Sequence, residues 1–261
     1  MSQVATTSVR VHDYDVPLQT AGSGPPLLLL HGAGGAGMWL DLQARLAERF
    51  TVFAPVQPGF AGTPLPSWLR GADDVALHTL DLVRALDLDR PTVVGMSLGG
   101  WIATEMAVFR PRVVRSLVLV APIGVRTQQP IPDLFIMEPL EAVPYLFSDF
   151  SKAMTLMPAA LTPDVMVRAW EEQAAVARLA WHRPYNPSLL RRLHMIESPT
   201  LLVWGSEDRL VSPAHGEMLA REIPDARLEV IPAAGHAVAI EKPEELARKI
   251  VAFAAGERGE G

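Results

Sequence analysis

The sequence predicts an α/β fold: a mostly parallel sheet flanked by helices and interrupted by a long helical insertion. Three observations carry this. Short apolar runs alternate with amphipathic stretches from Leu27 to Val120 and again from Thr200 to Phe253. Between these two stretches the alternation stops. Proline and glycine divide along the same line, since ten of the 23 prolines lie from Pro122 to Pro199 beside a single glycine, Gly124. The expected division is therefore a core of 1–121 and 199–261 and a helical cap of 122–198.

Each element follows from its pattern. Val9 to Thr20 alternates loosely and contains Pro17, which suits one or two short edge strands. Leu27 to Leu30 is an uninterrupted apolar run, as expected for a strand buried on both faces. A helix carrying Leu42, Leu46 and Phe50 follows, then a strand from Thr51 to Ala54 and a helix from Asp73 to Leu88. Thr92 to Val94 is a strand, Leu98 to Phe109 a helix and Val114 to Val120 another buried strand. Pro122 to Ser198 holds amphipathic pieces such as Leu161 to Leu179. It also holds bulky apolar residues, among them Tyr145, Met154 and Met157, and we expect it to pack on the sheet as helices. The alternation resumes with a strand from Thr200 to Trp204, a helix near Pro213 to Glu222 and a strand from Arg227 to Ile231. A last helix starts at Pro243, a residue suited to a first helical position. Gly256 to Gly261 reads as a frayed tail.

Composition removes several function classes. The 261 residues include no cysteine, so a thiol nucleophile, a redox pair and cysteine-ligated zinc are excluded. The formal net charge of −6, with no basic run, argues against a nucleic-acid partner. No apolar run approaches the ~20 residues of a membrane span. Met1 to Arg10 lacks the features of a secretory signal, which predicts a cytoplasmic location. No HExxH motif and no ligand-spaced cluster of His and carboxylates is present, so neither metal nor cofactor is expected.

The loop after Leu30 has two readings. Gly32-Ala33-Gly34-Gly35-Ala36-Gly37 satisfies the dinucleotide fingerprint G-x-G-x-x-G. That fingerprint expects an acidic residue about 20 positions on, and Ala54-Pro55-Val56-Gln57 offers none. The competing reading takes His31-Gly32 as the start of an oxyanion loop.

A nucleophile decides between them. Gly95-Met96-Ser97-Leu98-Gly99 matches G-x-S-x-G and stands between a strand and a helix, where a nucleophile elbow belongs. Residues two before and two after the serine need to be nearly free of side chain. The turn lifts the hydroxyl above the carboxyl end of the sheet, and the Leu98 amide opens the helix beside it.

With these residues the chain resembles the α/β-hydrolase superfamily from about Pro25 to Phe253. It looks most like the capped esterases, lactonases and carbon–carbon bond hydrolases. The resemblance rests on His31-Gly32-Ala33-Gly34, Pro58-Gly59-Phe60, Gly95 to Gly100, Trp204-Gly205-Ser206-Glu207-Asp208 and Gly235-His236. Gln57 departs from the family, in which an aspartate often stands there. The resemblance implies the α/β-hydrolase fold with a cap after the sixth strand. It also implies a triad in the order Ser, acid, His. His236, in a loop after a strand, is the expected base. Asp208, just before Arg209-Leu210-Val211, is the expected acid, and Glu207 is expected to be solvated. The alternative acid position after the sixth strand reads Ala121-Pro122-Ile123-Gly124 and has no carboxylate. The amides of Ala33 and Leu98 form the expected oxyanion hole, and His31 is expected to brace the loop.

Gly34, Trp39, Trp101, Phe135, Met137 and Phe147 are the candidate substrate-binding residues, with Phe60 and Trp181 as further apolar candidates. Together they favour a small-molecule partner with a hydrophobic acyl or alcohol group. Arg126, Arg168, Arg178 and Arg183 are candidates to meet a substrate carboxylate, but each is expected at the surface. A carboxylic ester or lactone is the first expected substrate. A meta-cleavage-type dienoate, cleaved at a carbon–carbon bond, is the second, although those relatives usually carry Trp where this chain has Ala237. A small-molecule receptor with slow turnover is the third.

Overall fold

The computed structural model describes residues 3–156, 160, 162–181 and 183–256. Met157, Leu161, His182 and the tail 257–261 lie outside the described residues.

The chain opens with a hairpin of β1 (Ala5–Val11) and β2 (Tyr14–Ala21), closed by a turn at His12. Two strands therefore stand where the alternation suggested one or two. β2 is not an edge: it also pairs, antiparallel, with β4 (Thr51–Pro55). That pairing begins only at Leu18, so Pro17 lies outside the ladder that would need its missing N–H.

From β3 (Pro26–Leu30) onward the strands alternate with helices. α1 (Asp41–Leu46) leads to β4, and α2 (Ala72–Ala85) to β5 (Thr92–Met96). α3 (Leu98–Phe109) leads to β6 (Ser116–Val120). After a long helical segment come β7 (Thr200–Gly205) and, further on, β8 (Ala226–Ile231). The eight strands form one sheet in the order β1-β2-β4-β3-β5-β6-β7-β8, and β3 to β8 are mutually parallel. This is the α/β-hydrolase fold.

The strand pattern explains the burial. Leu28 and Leu30 face one core with Val93, Leu117, Leu119 and Leu202, covered by α2 and α3. Leu27 and Leu29 face the opposite core with Val94 and Val118, covered by α1 and the C-terminal helix. A run of four leucines thus serves two cores because successive side chains point to opposite faces.

Several boundaries shift. α1 ends at Leu46, before Phe50. The bonds Glu48 N–H to Arg45 O and Arg49 N–H to Leu46 O tighten the chain there, and Phe50 is still buried. α2 starts at Ala72 and ends at Ala85, because Asp87 turns left-handed at φ 51°. β6 begins at Ser116 rather than Val114.

The segment between β6 and β7 has no named strand among its described residues. It holds a 3-10 turn at Leu134–Ile136, α4 (Pro139–Leu146), α5 (Phe150–Met154), α6 (Pro163–Ala180) and a 3-10 turn at Leu190–Met195. Its ends meet: Gly124 N–H donates to Pro184 O at 3.0 Å and Asn186 N–H to Gly124 O at 2.9 Å. Packing on the rest of the protein is looser than the apolar content suggests. Ala175, Leu179 and Ala180 of α6 join the core, while Met154, Met166 and Trp170 are exposed.

The C-terminal part adds α7 (Pro213–Glu222), α8 (Val238–Glu241) and α9 (Pro243–Ala254). Ser212 and Thr162 cap α7 and α6 with their hydroxyls, each followed by proline at the first helical position. α8 has four residues, too few to show a period, and sequence patterning does not reveal it. No helix among the described residues is long and apolar enough to cross a membrane.

Glu105 on α3 pins the end of the helical segment to the core. Its fully buried carboxylate accepts from Asn186 Nδ2 at 2.8 Å, Trp101 Nε1 at 3.3 Å and Arg192 Nη2 at 3.1 Å. Burial pushes its pKa up, against these bonds. Glu105→Ala would leave all three donors unmatched, and we expect it to cost about 2–3 kcal/mol in denaturant unfolding. Glu105→Gln, which keeps one acceptor, should cost less.

Candidate active site

Ser97 sits between β5 and α3 at φ 49° and ψ −111°. A non-glycine residue there carries strain of about 1–3 kcal/mol. The surroundings hold it. Ser97 N–H donates to Val120 O at 2.9 Å, and Ser97 O accepts from Trp101 N–H at 3.1 Å. A Cβ on Gly95 would stand 2.7 Å from the Gly100 Cα, and one on Gly99 would run into the carbonyls of Leu30 and His31. The glycines of the motif are thus a packing requirement. They let α3 lie against the ends of β3 and β5.

Three side chains meet at this turn. His236 Nε2 lies 2.9 Å from Ser97 Oγ, and His236 Nδ1 lies 2.9 Å from Asp208 Oδ2. Asp208 is buried after β7. Its other oxygen, Oδ1, accepts from Leu210 N–H at 3.0 Å and Val211 N–H at 2.8 Å. Trp204 Nε1 donates to Val211 O at 2.7 Å and closes the same turn. With Nδ1–H donating to Asp208, Nε2 is left as the acceptor for the serine hydroxyl. The arrangement can pass the Ser97 proton to the imidazole. Glu207 is exposed, as expected.

Leu98 is the first residue of α3, so its amide has no partner within the helix. Ala33 and Gly34 lie exposed in the loop after β3. That loop is braced from beneath by His31. His31 Nδ1–H donates to Gly32 O at 2.7 Å, and Nε2 accepts from Gln57 N–H at 3.0 Å. Gln57 Nε2 donates to His31 O at 2.7 Å. A carboxylate at position 57 has no proton for that bond, which gives the departure from aspartate a local reason. Phe60 is fully buried with its ring edge-on to His31 at 5.1 Å, so it supports the brace and lines no cleft.

The apolar candidates separate. Trp101 needs correction as a substrate contact: it is 4% exposed, its ring lies under Gly124 and its Nε1 donates to Glu105. Trp39 is half-buried and packs against the core on the α1 and α9 face. Phe135 is half-buried in the helical segment with its ring tilted at 53° against that of Trp181, 5.1 Å between centroids, and Met137 is half-buried just after it. Phe147 is half-buried, and its backbone carbonyl carbon would stand 2.9 Å from a Cβ on Gly235, the residue before His236. The four arginines are all exposed. Sequence reasoning missed one buried carboxylate behind His236, Glu241. Nothing in the local pattern marks it, because three of its four bonds come from Ser148 and Asp149, more than 90 positions away.

Among the described residues no group of three or more His, Cys, Asp or Glu is placed to hold a metal ion.

The profile of the alpha/beta hydrolase family matches residues 27–249. The chain belongs to this family. This alpha/beta hydrolase is 29% identical to a 2-hydroxy-6-oxo-6-(2'-aminophenyl)hexa-2,4-dienoic acid hydrolase of Metapseudomonas resinovorans, over 89% of this chain and 85% of that one. It is 27% identical to a monoacylglycerol lipase of Mus musculus, over 90% of this chain and 76% of the lipase. The crystal structure of a bacterial membrane phospholipase A superposes with a TM-score of 0.80 at 26% identity, covering 98% of this chain and 87% of the other.

Burial pushes the His31 imidazole down from 6.5 to about 4, against the bond to Gly32, which favours the charged form. Its neutral form therefore belongs to the fold. Below pH ~6.5 the unfolded chain takes up this proton and the folded chain does not, so stability falls until pH ~4 by about 3 kcal/mol. Denaturant unfolding of the parent and His31→Gln between pH 7 and pH 4 should show this slope lost in the variant. An unchanged slope would mean that His31 is charged in the folded protein.

Proposed function

We propose that the protein hydrolyses carboxylic esters, lactones included, of small to medium hydrophobic substrates through an acyl-enzyme at Ser97. The observation that carries this reading is the chain of two 2.9 Å contacts from Asp208 through His236 to a serine on a strained turn. In the first half-reaction His236 Nε2 takes the hydroxyl proton as Ser97 Oγ bonds to the carbonyl carbon. Asp208 holds the tautomer and offsets the imidazolium charge. The amides of Leu98 and Ala33 receive the oxyanion, each such donor being worth ~3 kcal/mol in the transition state. The imidazolium then gives its proton to the leaving alcohol. In the second half-reaction water loses a proton to His236 and attacks the acyl carbon; the bond to Ser97 Oγ breaks, the imidazolium returns the proton to that oxygen, and the carboxylic acid leaves.

We read 122–198 as the cap over this site. The half-buried Phe135, Met137 and Phe147 supply its apolar face, with Gly34 and Trp39 on the core side. An apolar surface of this kind favours a hydrophobic acyl or alcohol group.

A second reading uses the same three residues on a carbon–carbon bond of a dienoate. The 29% identity to the aminophenyl dienoic acid hydrolase favours it. Ala237 weighs against it, as the residue after His236.

Two variants test the chemistry. Ser97→Ala should lower kcat on a p-nitrophenyl ester by at least ~10⁴-fold with the fold intact by circular dichroism. Asp208→Asn should lower it by roughly 10³–10⁴-fold. A fluorophosphonate should label Ser97 by peptide mapping, and a label elsewhere overturns the reading. Comparing kcat/KM across ester chain lengths, lactones and a dienoate separates the two substrate classes, and labelling with negligible turnover on all of them identifies a receptor.

A further inference from the structure

We propose that Glu241 is a positioning residue for His236 and couples the helical segment to the imidazole; this rests on the reading of His236 as the base. Glu241 closes α8 and is buried. Its Oε2 accepts from Gly235 N–H at 2.6 Å. Its Oε1 accepts from Ser148 N–H at 2.9 Å, Ser148 Oγ at 2.9 Å and Asp149 N–H at 2.8 Å. One carboxylate therefore joins the residue before His236 to the junction between α4 and α5. The residue after His236 is bonded to the same junction, since Ala237 N–H donates to Leu146 O at 2.8 Å.

Both amides flanking His236 are thus tied to Leu146, Ser148 and Asp149. The approach is close. A Cβ on Gly235 would stand 2.8 Å from Ser148 N and 2.9 Å from Leu146 O. The junction between α4 and α5 is therefore bound to the chain on both sides of the base. A carboxylate suits this place because it accepts at both oxygens and donates nothing. Glutamine would turn an NH2 group toward donors at one end, and the loop would part from the segment there. Since a shift of about 1 Å in a reacting group costs ~10²-fold in rate, His236 need not leave the site for activity to fall.

The test is Glu241→Gln on the full chain, with kcat expressed per site titrated by a fluorophosphonate, so that misfolded protein drops out of the count. The expected result is kcat per titrated site lowered by at least about tenfold, with KM within about twofold of the parent. Ser148→Ala removes one hydroxyl and keeps every amide, so it should stay within about threefold of the parent. A Glu241→Gln protein with parental kcat per site overturns the proposal. If Glu241→Gln fails to fold, amide exchange in the parent decides. Gly235, Ala237, Ser148 and Asp149 should open as one unit, and independent opening of Ser148 and Asp149 overturns the coupling. Ser97→Ala, run alongside, keeps the two failures apart: retained activity there removes the reading of the site itself.

Discussion

A serine held at φ 49° between a buried strand and a buried helix makes demands on everything around it. The chain must reverse within one residue while the strand stays in the sheet and the helix stays against it. Gly95, Gly99 and Gly100 meet that demand, because a Cβ at any of them would strike backbone or the first residues of the next loop. The close approach of α3 to Leu30 and His31 then fixes where the loop after β3 can run. His31 and Gln57 hold that loop with bonds that need a neutral imidazole and an amide donor. The strain at Ser97 is sustained by a packed surround that leaves no other path.

The remaining parts of the site arrive through sheet topology. Ser97 follows β5, Asp208 follows β7 and His236 follows β8, all at the carboxyl edge of parallel strands. Ser97 and His236 are 139 positions apart in the chain. The parallel order β5-β6-β7-β8 brings their loops to one end, which is why ligands bind there in open α/β sheets. A Cβ on Gly205 would run into the carbonyls of Ala234 and Gly235, so the end of β7 and the His236 loop pack backbone to backbone.

Three carboxylates tie the helical segment to this body. Glu105 holds its end through Asn186 and Arg192. Glu172 of α6 accepts from Ala61 N–H at 3.1 Å, in the loop beyond β4. Glu241 holds the α4–α5 junction. Apolar burial contributes less here than in the sheet, since much of α6 faces outward with Met166, Val167 and Trp170 exposed. Polar anchors of this type are directional, and they define the segment's place even where its packing is sparse.

The residues alone determined a great deal. Four consecutive leucines between turn signals suit a strand with two buried faces, and G-x-S-x-G between strand and helix fits a strained turn with small neighbours. Both signals are local, written in spacing that the backbone geometry reads directly. The choice of Asp208 over Glu207, made from resemblance, corresponds to a burial difference that adjacent carboxylates do not display in sequence. Only the tertiary structure put Trp101 in the core, because an aromatic on a helix carries the same spacing whether it lines a cleft or fills an interior. It alone brought Glu241 to the amides of Ser148 and Asp149, since a bond from a backbone amide places no constraint on the identity of the residue that donates.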